Sequence, residues 1–109
     1  MFEFNPSLRS SYAGHLSSHR RVAIDDAALI PAAVAIVVTK SAHNDEACFL
    51  LTRRAKGLAR HSGQYALPGG RLEPNESTET AALRELKEEL GLTASTSQVA
   101  GQLDDYATR

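Results

Sequence analysis

One segment of this 109-residue chain constrains its fold more than any other, because it predicts a helix with two chemically different faces. Residues 78–90 are good helix formers, Ser77 is a preferred N-cap type, and Gly91 stands where a left-handed C-cap is expected. At about 3.6 residues per turn, the carboxylates and the leucines of this helix fall on separate faces. They belong to Glu85, Glu88 and Glu89, and to Leu83, Leu86 and Leu90. The leucine face must therefore pack on another element.

The acidic face has two interpretations. Glu-rich helices commonly present a solvated charged surface, and Arg84 with Glu88 forms an ordinary i,i+4 pair. Alternatively, Mg²⁺ often takes one or two carboxylates together with substrate phosphates, so the same face is competent to bind a metal. The chain between residues 47 and 72 contains basic side chains and no acid, whereas residues 73–89 contain six acids. A diphosphate suits this junction, with basic groups on its outer oxygens and metal ions bridging it to the carboxylates.

Two apolar runs upstream predict β-strands. Residues 31–40 are rich in β-branched types, residues 47–53 form the second run, and turn-like residues 41–46 separate them. We expect a β-hairpin whose strands are covered on both faces, because the runs are almost continuously apolar. Residues 54–75 are interrupted by glycine and proline and predict a loop, and residues 99–103 predict a further short strand. The expected fold class is α+β.

One helix can cover only one face of such a sheet, and an open apolar sheet face is uncommon in a soluble domain. We therefore expect either a domain truncated on its C-terminal side or a homodimer in which the partner supplies the missing cover. The predicted organisation is an N-terminal arm at residues 1–30, followed by the functional domain at residues 31–109.

Composition excludes several classes of protein. The net charge is −1 and the isoelectric point is near 6.4, so no bulk field indicates binding to nucleic acid or to an anionic membrane. The longest apolar run, residues 32–38, is too short to cross a bilayer. The single cysteine, Cys48, lies in an apolar run and is predicted to be a small buried hydrophobe. Without a secretory signal or a disulfide framework, we expect a cytoplasmic protein.

The spacing of residues around the helix resembles the Nudix box. Gly70 is followed after five residues by Glu76, and after seven more by Arg84-Glu85-Leu86-Lys87-Glu88-Glu89-Leu90-Gly91-Leu92. Every fixed position of that motif is filled. The resemblance implies an α/β/α sandwich with a mixed sheet, incomplete in this chain, whose box forms a loop, a helix and a loop that bind Mg²⁺ or Mn²⁺.

The same resemblance implies roles for individual residues. The metal ligands would be Glu85, Glu89, Glu88 (directly or through water) and the backbone carbonyl of Gly69. The catalytic group would comprise Glu85, as a candidate base, with Arg84 orienting it and Glu88 beside it. Glu76 would brace the loop by pairing with the helix. For Arg84 and Glu76, a purely structural role is the alternative.

A second, narrower resemblance concerns the substrate. Residues 50–55, Gly63 and the Pro68-Gly69-Gly70 turn resemble an upstream signature of the coenzyme A diphosphatase branch, as do residues 103–108 after the box. Two positions depart from that signature, where Ala59 replaces the usual Arg and Leu67 the usual Phe. The side chains expected to contact substrate phosphates are Arg54, Arg60 and Arg71. The alternative for this basic loop is a solvated surface.

The sequence therefore predicts a Mg²⁺- or Mn²⁺-dependent pyrophosphohydrolase that cleaves coenzyme A or its derivatives to 4′-phosphopantetheine and adenosine 3′,5′-bisphosphate. Its partner would be this small-molecule nucleotide diphosphate, with no nucleic acid and no membrane. Two alternatives stay open. One is hydrolysis of another nucleoside diphosphate derivative, such as ADP-ribose or a nucleoside triphosphate, and the other is a catalytically silent nucleotide-binding module.

Overall fold

A computed structural model of the chain describes residues 2–53 and 64–108. In this part of the chain, helix α1 spans Pro6–Ser18, helix α2 spans Thr78–Leu90, and a short 3-10 helix spans Thr96–Gln98. The strands are β1 (Ala32–Val34), β2 (Val38–Lys40), β3 (Ala47–Phe49), β4 (Thr52–Arg53), β5 (Tyr65–Ala66) and β6 (Gly69–Arg71). Helices and strands thus occur together, which confirms the predicted α+β class.

The described strands form three antiparallel pairs. β1 pairs with β6, β2 with β3, and β4 with β5. The predicted hairpin is present in β2 and β3, but the first apolar run is divided between two ladders, because its first half pairs with β6 instead. The division falls at Ala35, whose N–H donates to the carbonyl of Pro68 at 2.8 Å. No parallel pair occurs among the described strands.

Strands β5 and β6 lie in a region that the sequence predicted as loop. β6 contains Gly69 and Gly70, and Gly69 stands opposite Val34 of β1. A Cβ at Gly69 would collide with the carbonyl oxygen of Ala33 and would lie 2.7 Å from the Cα of Val34. Glycine therefore permits the two strands to approach closely here. The sequence predicted a loop at these residues because glycine usually interrupts strands.

Helix α2 agrees with the prediction at both ends. The Thr80 N–H donates to the Ser77 hydroxyl at 3.1 Å, and Gly91 adopts a left-handed conformation with φ 68°. The helix packs on β1 and β6 and buries Ala81 and Leu86 completely or nearly so. Of the other predicted stripe residues, Leu83 is half-buried and Leu90 is at the limit of exposure. The packing fixes which side of α2 faces the β1–β6 ladder.

Much of the apolar surface of the strands is exposed. Val34 of β1 is 58% exposed, and Phe49 of β3 and Ile36, between β1 and β2, are also more than half exposed. The prediction that the strands are covered on both faces is therefore wrong for the described residues, whereas the expected open apolar face is present. Cys48 is also exposed, contrary to prediction, because it belongs to β3 while α2 packs on β1 and β6.

The N-terminal arm contains α1, which the sequence analysis did not predict. Its start is encoded locally, since the Asn5 side chain accepts a hydrogen bond from the Leu8 N–H at 2.9 Å and Pro6 occupies the first turn.

None of the helices in the described part of the chain has the length and apolar character needed to cross a bilayer.

The arm is joined to the far end of the chain by an arm clasp, defined as the contacts between residues 19–24 and 103–105. Arg21 Nη2 donates to Asp105 Oδ1 at 2.6 Å, and Arg21 Nε donates to the Leu103 carbonyl at 3.0 Å. The Asp105 N–H donates to the carbonyl of Val22 at 3.0 Å. The strand predicted at residues 99–103 is absent from the structure, where the carbonyl of Leu103 binds an arginine side chain.

Candidate active site

Arg84 connects three parts of the box. Its Nε and Nη2 donate to the two carboxylate oxygens of Glu76 at 2.8 and 2.9 Å, a bidentate arrangement. Its Nη1 donates to Glu85 Oε1 at 2.9 Å and to Glu88 Oε2 at 3.4 Å. Nη2 also donates to the carbonyl of Arg71 in β6 at 3.2 Å. One guanidinium thus fixes the loop, the strand and the helix relative to one another.

These contacts determine the ionisation of Glu76. The hydrogen bonds from Arg84, together with one from the Glu73 N–H at 3.0 Å, lower the pKa of Glu76 to about 2. In turn, the hydrogen bond to Glu76 raises the pKa of Arg84 above its ordinary value. At neutral pH the pair is therefore fully charged, and Glu76 serves as an anchor for Arg84 and not as a proton donor.

Glu85 occupies the space that a side chain at Gly70 would fill. A Cβ at Gly70 would lie 2.7 Å from Glu85 Oε1 and 2.8 Å from its Cδ. One helical turn later, Glu89 Oε1 accepts a hydrogen bond from the Gly69 N–H at 3.3 Å. Two carboxylates of α2 therefore reach two consecutive glycines of β6. At both glycines the space beside the bare backbone is taken by a carboxylate of the protein itself.

The donors at this position fit a hard divalent cation. Mg²⁺ prefers oxygen ligands and typically uses one or two protein carboxylates, which Glu85 and Glu89 supply. A convergent group of three or more acidic, histidine or cysteine side chains is not found in residues 2–53 and 64–108. The structure does not bring Glu88 into a cluster with the other two, since its side chain is 57% exposed and bonded to Arg84. The metal-binding roles of Glu85, Glu89, Glu88 and the Gly69 carbonyl all stay predictions.

The residues expected to bind substrate are only partly described. Arg71 lies in β6 and is exposed, with its carbonyl bound to Arg84. Arg54 and Arg60 lie outside the described residues. Only the backbone of Arg71 is seen to contact the box, through Arg84, so its contact with substrate and the other two contacts stay predictions.

Two features of this region were missed by sequence reasoning. Glu73 lies 3.6 Å from Arg84 Nε and adds a further negative charge to its surroundings. The guanidinium carbon of Arg53 lies 5.8 Å from the ring centre of Tyr65, which is directly opposite it in the β4–β5 ladder. Glu73 was visible as an acid three residues before Glu76, but nothing in the sequence indicated that residues 53 and 65 are paired across a ladder.

Comparison with known families gives the identity of this arrangement. The sequence profile of the NUDIX domain matches residues 29–109, which is most of the chain. The chain belongs to the Nudix family. The carboxylate helix, the double-glycine strand and the Arg84 contacts all lie within that match, so the chain carries a Nudix hydrolase domain.

Individual Nudix relatives agree with this assignment. Nudix hydrolase 3 of Caenorhabditis elegans is 33% identical over 93 residues, covering 85% of this chain and 38% of that protein. An uncharacterized Nudix hydrolase, NudL, of Yersinia enterocolitica is 50% identical over 60 residues, covering 53% of this chain and 30% of that protein. The crystal structure of a MutT/nudix family protein from Enterococcus faecalis matches 89% of this chain and 39% of its own, with TM-score 0.53 and 23% identity, which confirms the fold. This chain thus spans less than half the length of these relatives.

Proposed function

We propose that this Nudix domain belongs to a divalent-metal-dependent pyrophosphohydrolase that cleaves the diphosphate of coenzyme A or its derivatives. The observation that carries the proposal is the placement of Glu85 and Glu89 against Gly70 and Gly69, with Arg84 fixing Glu85. Two carboxylates are held close to bare backbone, and the same strand carries the exposed residue Arg71. This combination suits a diphosphate and its counter-ion better than it suits a solvated helix face.

Hydrolysis adds one water across the P–O–P link, so that a hydroxyl joins one phosphorus and the other keeps the bridging oxygen. Coenzyme A would yield 4′-phosphopantetheine and adenosine 3′,5′-bisphosphate. In our proposal Glu85, Glu89, Glu88 and the Gly69 carbonyl would hold Mg²⁺ or Mn²⁺, which would supply charge neutralisation and a more acidic water. Glu85 also serves as a candidate base. Arg84 keeps its carboxylate in one orientation through the 2.9 Å contact.

The choice of coenzyme A rests on residues 50–55, Gly63 and the Pro68-Gly69-Gly70 turn, which resemble the upstream signature of that branch. In this proposal Arg54, Arg60 and Arg71 hold the outer phosphate oxygens. Since Ala59 and Leu67 depart from the signature, another nucleoside diphosphate derivative is the second candidate substrate. The relatives named above carry no substrate in their names, so the sequence signature alone supports the narrower choice.

Product analysis separates the candidates. The protein is incubated with equimolar coenzyme A, ADP-ribose and a nucleoside triphosphate in Mg²⁺, and the products are resolved chromatographically. We expect adenosine 3′,5′-bisphosphate to accumulate first. Preferential cleavage of ADP-ribose or of the triphosphate would refute the coenzyme A assignment while keeping the hydrolase. Cleavage of none of the three would favour the catalytically silent nucleotide-binding module.

A matched pair of variants shows whether any turnover belongs to this site. Glu85→Gln removes one proposed metal ligand, whereas Glu79→Gln removes a carboxylate from the first turn of the same helix. Turnover should fall by orders of magnitude in the first and stay unchanged in the second. Equal turnover in both variants would place the activity elsewhere.

We also propose a domain organisation, an oligomeric state and a location for the protein. We assign residues 1–30 to an N-terminal arm and residues 31–109 to the Nudix domain, with further chain or a second copy covering the exposed strand face. A homodimer is one form of that cover. A cytoplasmic location is supported by the single cysteine and the absence of a disulfide pair within the sequence.

A further inference from the structure

An exposed aromatic ring lies in β5, the strand that precedes β6 in the chain, and is covered by a cation. Tyr65 is 67% exposed, and the guanidinium carbon of Arg53 lies 5.8 Å from its ring centre. The two residues are direct partners in the β4–β5 ladder, so their side chains project from the same face. Thr52 and Ala66 form the neighbouring pair, and the Thr52 hydroxyl donates to the Ala66 carbonyl at 3.0 Å, which holds the ladder in register.

The chain connects this ring to the site over a short distance. Three residues lie between Tyr65 and Gly69, so their Cα atoms are within about 14 Å of each other even if the segment were fully extended. Pro68 in this connection is completely buried, and its carbonyl accepts the Ala35 N–H at 2.8 Å. The connection is therefore anchored next to β1, and the Cα of Tyr65 stays within that span of Gly69, whose N–H binds Glu89.

A single exposed tyrosine needs no special explanation, since apolar atoms make up more than half of most protein surfaces. The guanidinium of Arg53 distinguishes this tyrosine from an ordinary exposed one. A guanidinium over a ring leaves a planar, partly cationic face, and both tyrosine rings and guanidinium planes stack on nucleobases. Such stacking is tolerant of base identity, because every base has a π-face. The pair thus has the chemistry of a base-binding platform.

We infer that Tyr65 and Arg53 form a stacking platform for the base of a nucleotide whose diphosphate lies at Glu85 and Glu89. This assignment rests on the proposed function and deepens it, because it makes the base a recognised part of the substrate. It also makes Tyr65 a specificity residue and not a catalytic residue. Diphosphates that lack a base would then be bound by the phosphate contacts alone.

Two non-hydrolysable probes isolate the contribution of the base. α,β-Methylene-ADP and methylenediphosphonate share the bridged diphosphate, and only the first carries adenosine. Their dissociation constants are measured by calorimetry with the full chain in Mg²⁺. Removing a stacked aromatic from an exposed platform should weaken binding of the first probe about 5- to 10-fold. Binding of the second probe should change less than about twofold, because it makes no base contact.

The variants are chosen so that folding effects are visible. Tyr65→Ala removes the ring, Tyr65→Phe keeps it, and Tyr106→Ala removes an exposed tyrosine from outside the platform. Of these three tyrosine variants, we expect only Tyr65→Ala to bind α,β-methylene-ADP more weakly. Arg53→Lys keeps the charge and loses the plane, and should weaken the same probe by a smaller factor.

Several results would overturn the platform. These are wild-type affinity for α,β-methylene-ADP in Tyr65→Ala, an equal loss for both probes, or a wild-type chain that binds both probes equally well. Because the probes are not cleaved, these results are independent of turnover. Failure of the hydrolase proposal is read separately, from the cleavage assay with Glu85→Gln.

Discussion

The substitution Gly70→Ala is expected to disturb the geometry of the site while leaving the stability of the fold nearly unchanged. Neither Gly70 nor Gly69 has a positive φ, since Gly91 is the only glycine of that kind in the described part of the chain. An alanine can therefore adopt either backbone conformation, and the effect of each substitution is steric. At Gly70 the new Cβ would lie 2.7 Å from Glu85 Oε1, so the carboxylate must retreat by about 0.7 Å to reach an ordinary contact.

The size of the effect of each substitution depends on which atoms the added Cβ would displace. At Gly70 the obstacle is the far end of a flexible side chain, so the free energy of unfolding should change by less than about 1 kcal/mol. Turnover should nevertheless fall about 100-fold, since displacements near 1 Å can cost that much in a preorganised site. At Gly69 the obstacles include the Ala33 carbonyl and the Val34 Cα, so Gly69→Ala should lose about 1–3 kcal/mol of stability.

The assay compares thermal unfolding by circular dichroism with the rate of diphosphate cleavage for both variants. Gly69→Ala should lower the melting temperature by roughly 4–8 °C per kcal/mol lost, and Gly70→Ala should leave it nearly unchanged. Gly14→Ala is the control, because no atom lies within 4 Å of the added Cβ in α1. Wild-type turnover in Gly70→Ala, or a loss of stability equal to that of Gly69→Ala, would refute the reasoning.

Two further predictions concern charge. Because the pKa of Glu76 is lowered to about 2 from 4.5, its contribution to stability is present above about pH 4.5 and is lost as the pH falls towards 2. Glu76→Gln should flatten the pH dependence of the melting temperature in that window. If the melting temperature of the variant fell with pH there as steeply as that of the wild type, the pairing with Arg84 would not explain the acid sensitivity. Arg21→Ala should open the arm clasp and cost about 1 kcal/mol, with faster amide exchange at Val22 and Asp105. Arg20→Ala is the matched control, and equal exchange in both variants would show that the clasp does not depend on Arg21.

The helix of the box was predictable because its determinants are local. Ser77 and Gly91 define its ends through their own backbone and side-chain chemistry, and the leucine positions follow from helical periodicity. The position of Glu85 in space was not predictable from periodicity. It depends on Gly70 being paired in a ladder with Ala33, a contact between residues far apart in sequence.

The incorrect predictions also concern features that depend on contacts between residues far apart in sequence. β-Branched residues between 31 and 40 predicted one continuous strand, but local propensity does not encode that Ala35 bonds to Pro68 and that the two halves pair with different strands. Cys48 was expected to be buried because its neighbours are apolar, although burial depends on which element packs across it. The arm clasp joins residues about 80 positions apart, and ordinary surface charges such as Arg21 and Asp105 give no indication of such a pairing.

Binding of Mn²⁺ tests the central claim most directly, because it measures the carboxylate pair without assuming a substrate. Electron paramagnetic resonance titration of the full chain gives the affinity for Mn²⁺ in the wild type, Glu85→Gln and Glu89→Gln, with Glu79→Gln as control. We expect weaker Mn²⁺ binding and loss of turnover in the first two variants, and wild-type behaviour in the control. Wild-type Mn²⁺ affinity in both Glu85→Gln and Glu89→Gln would contradict it.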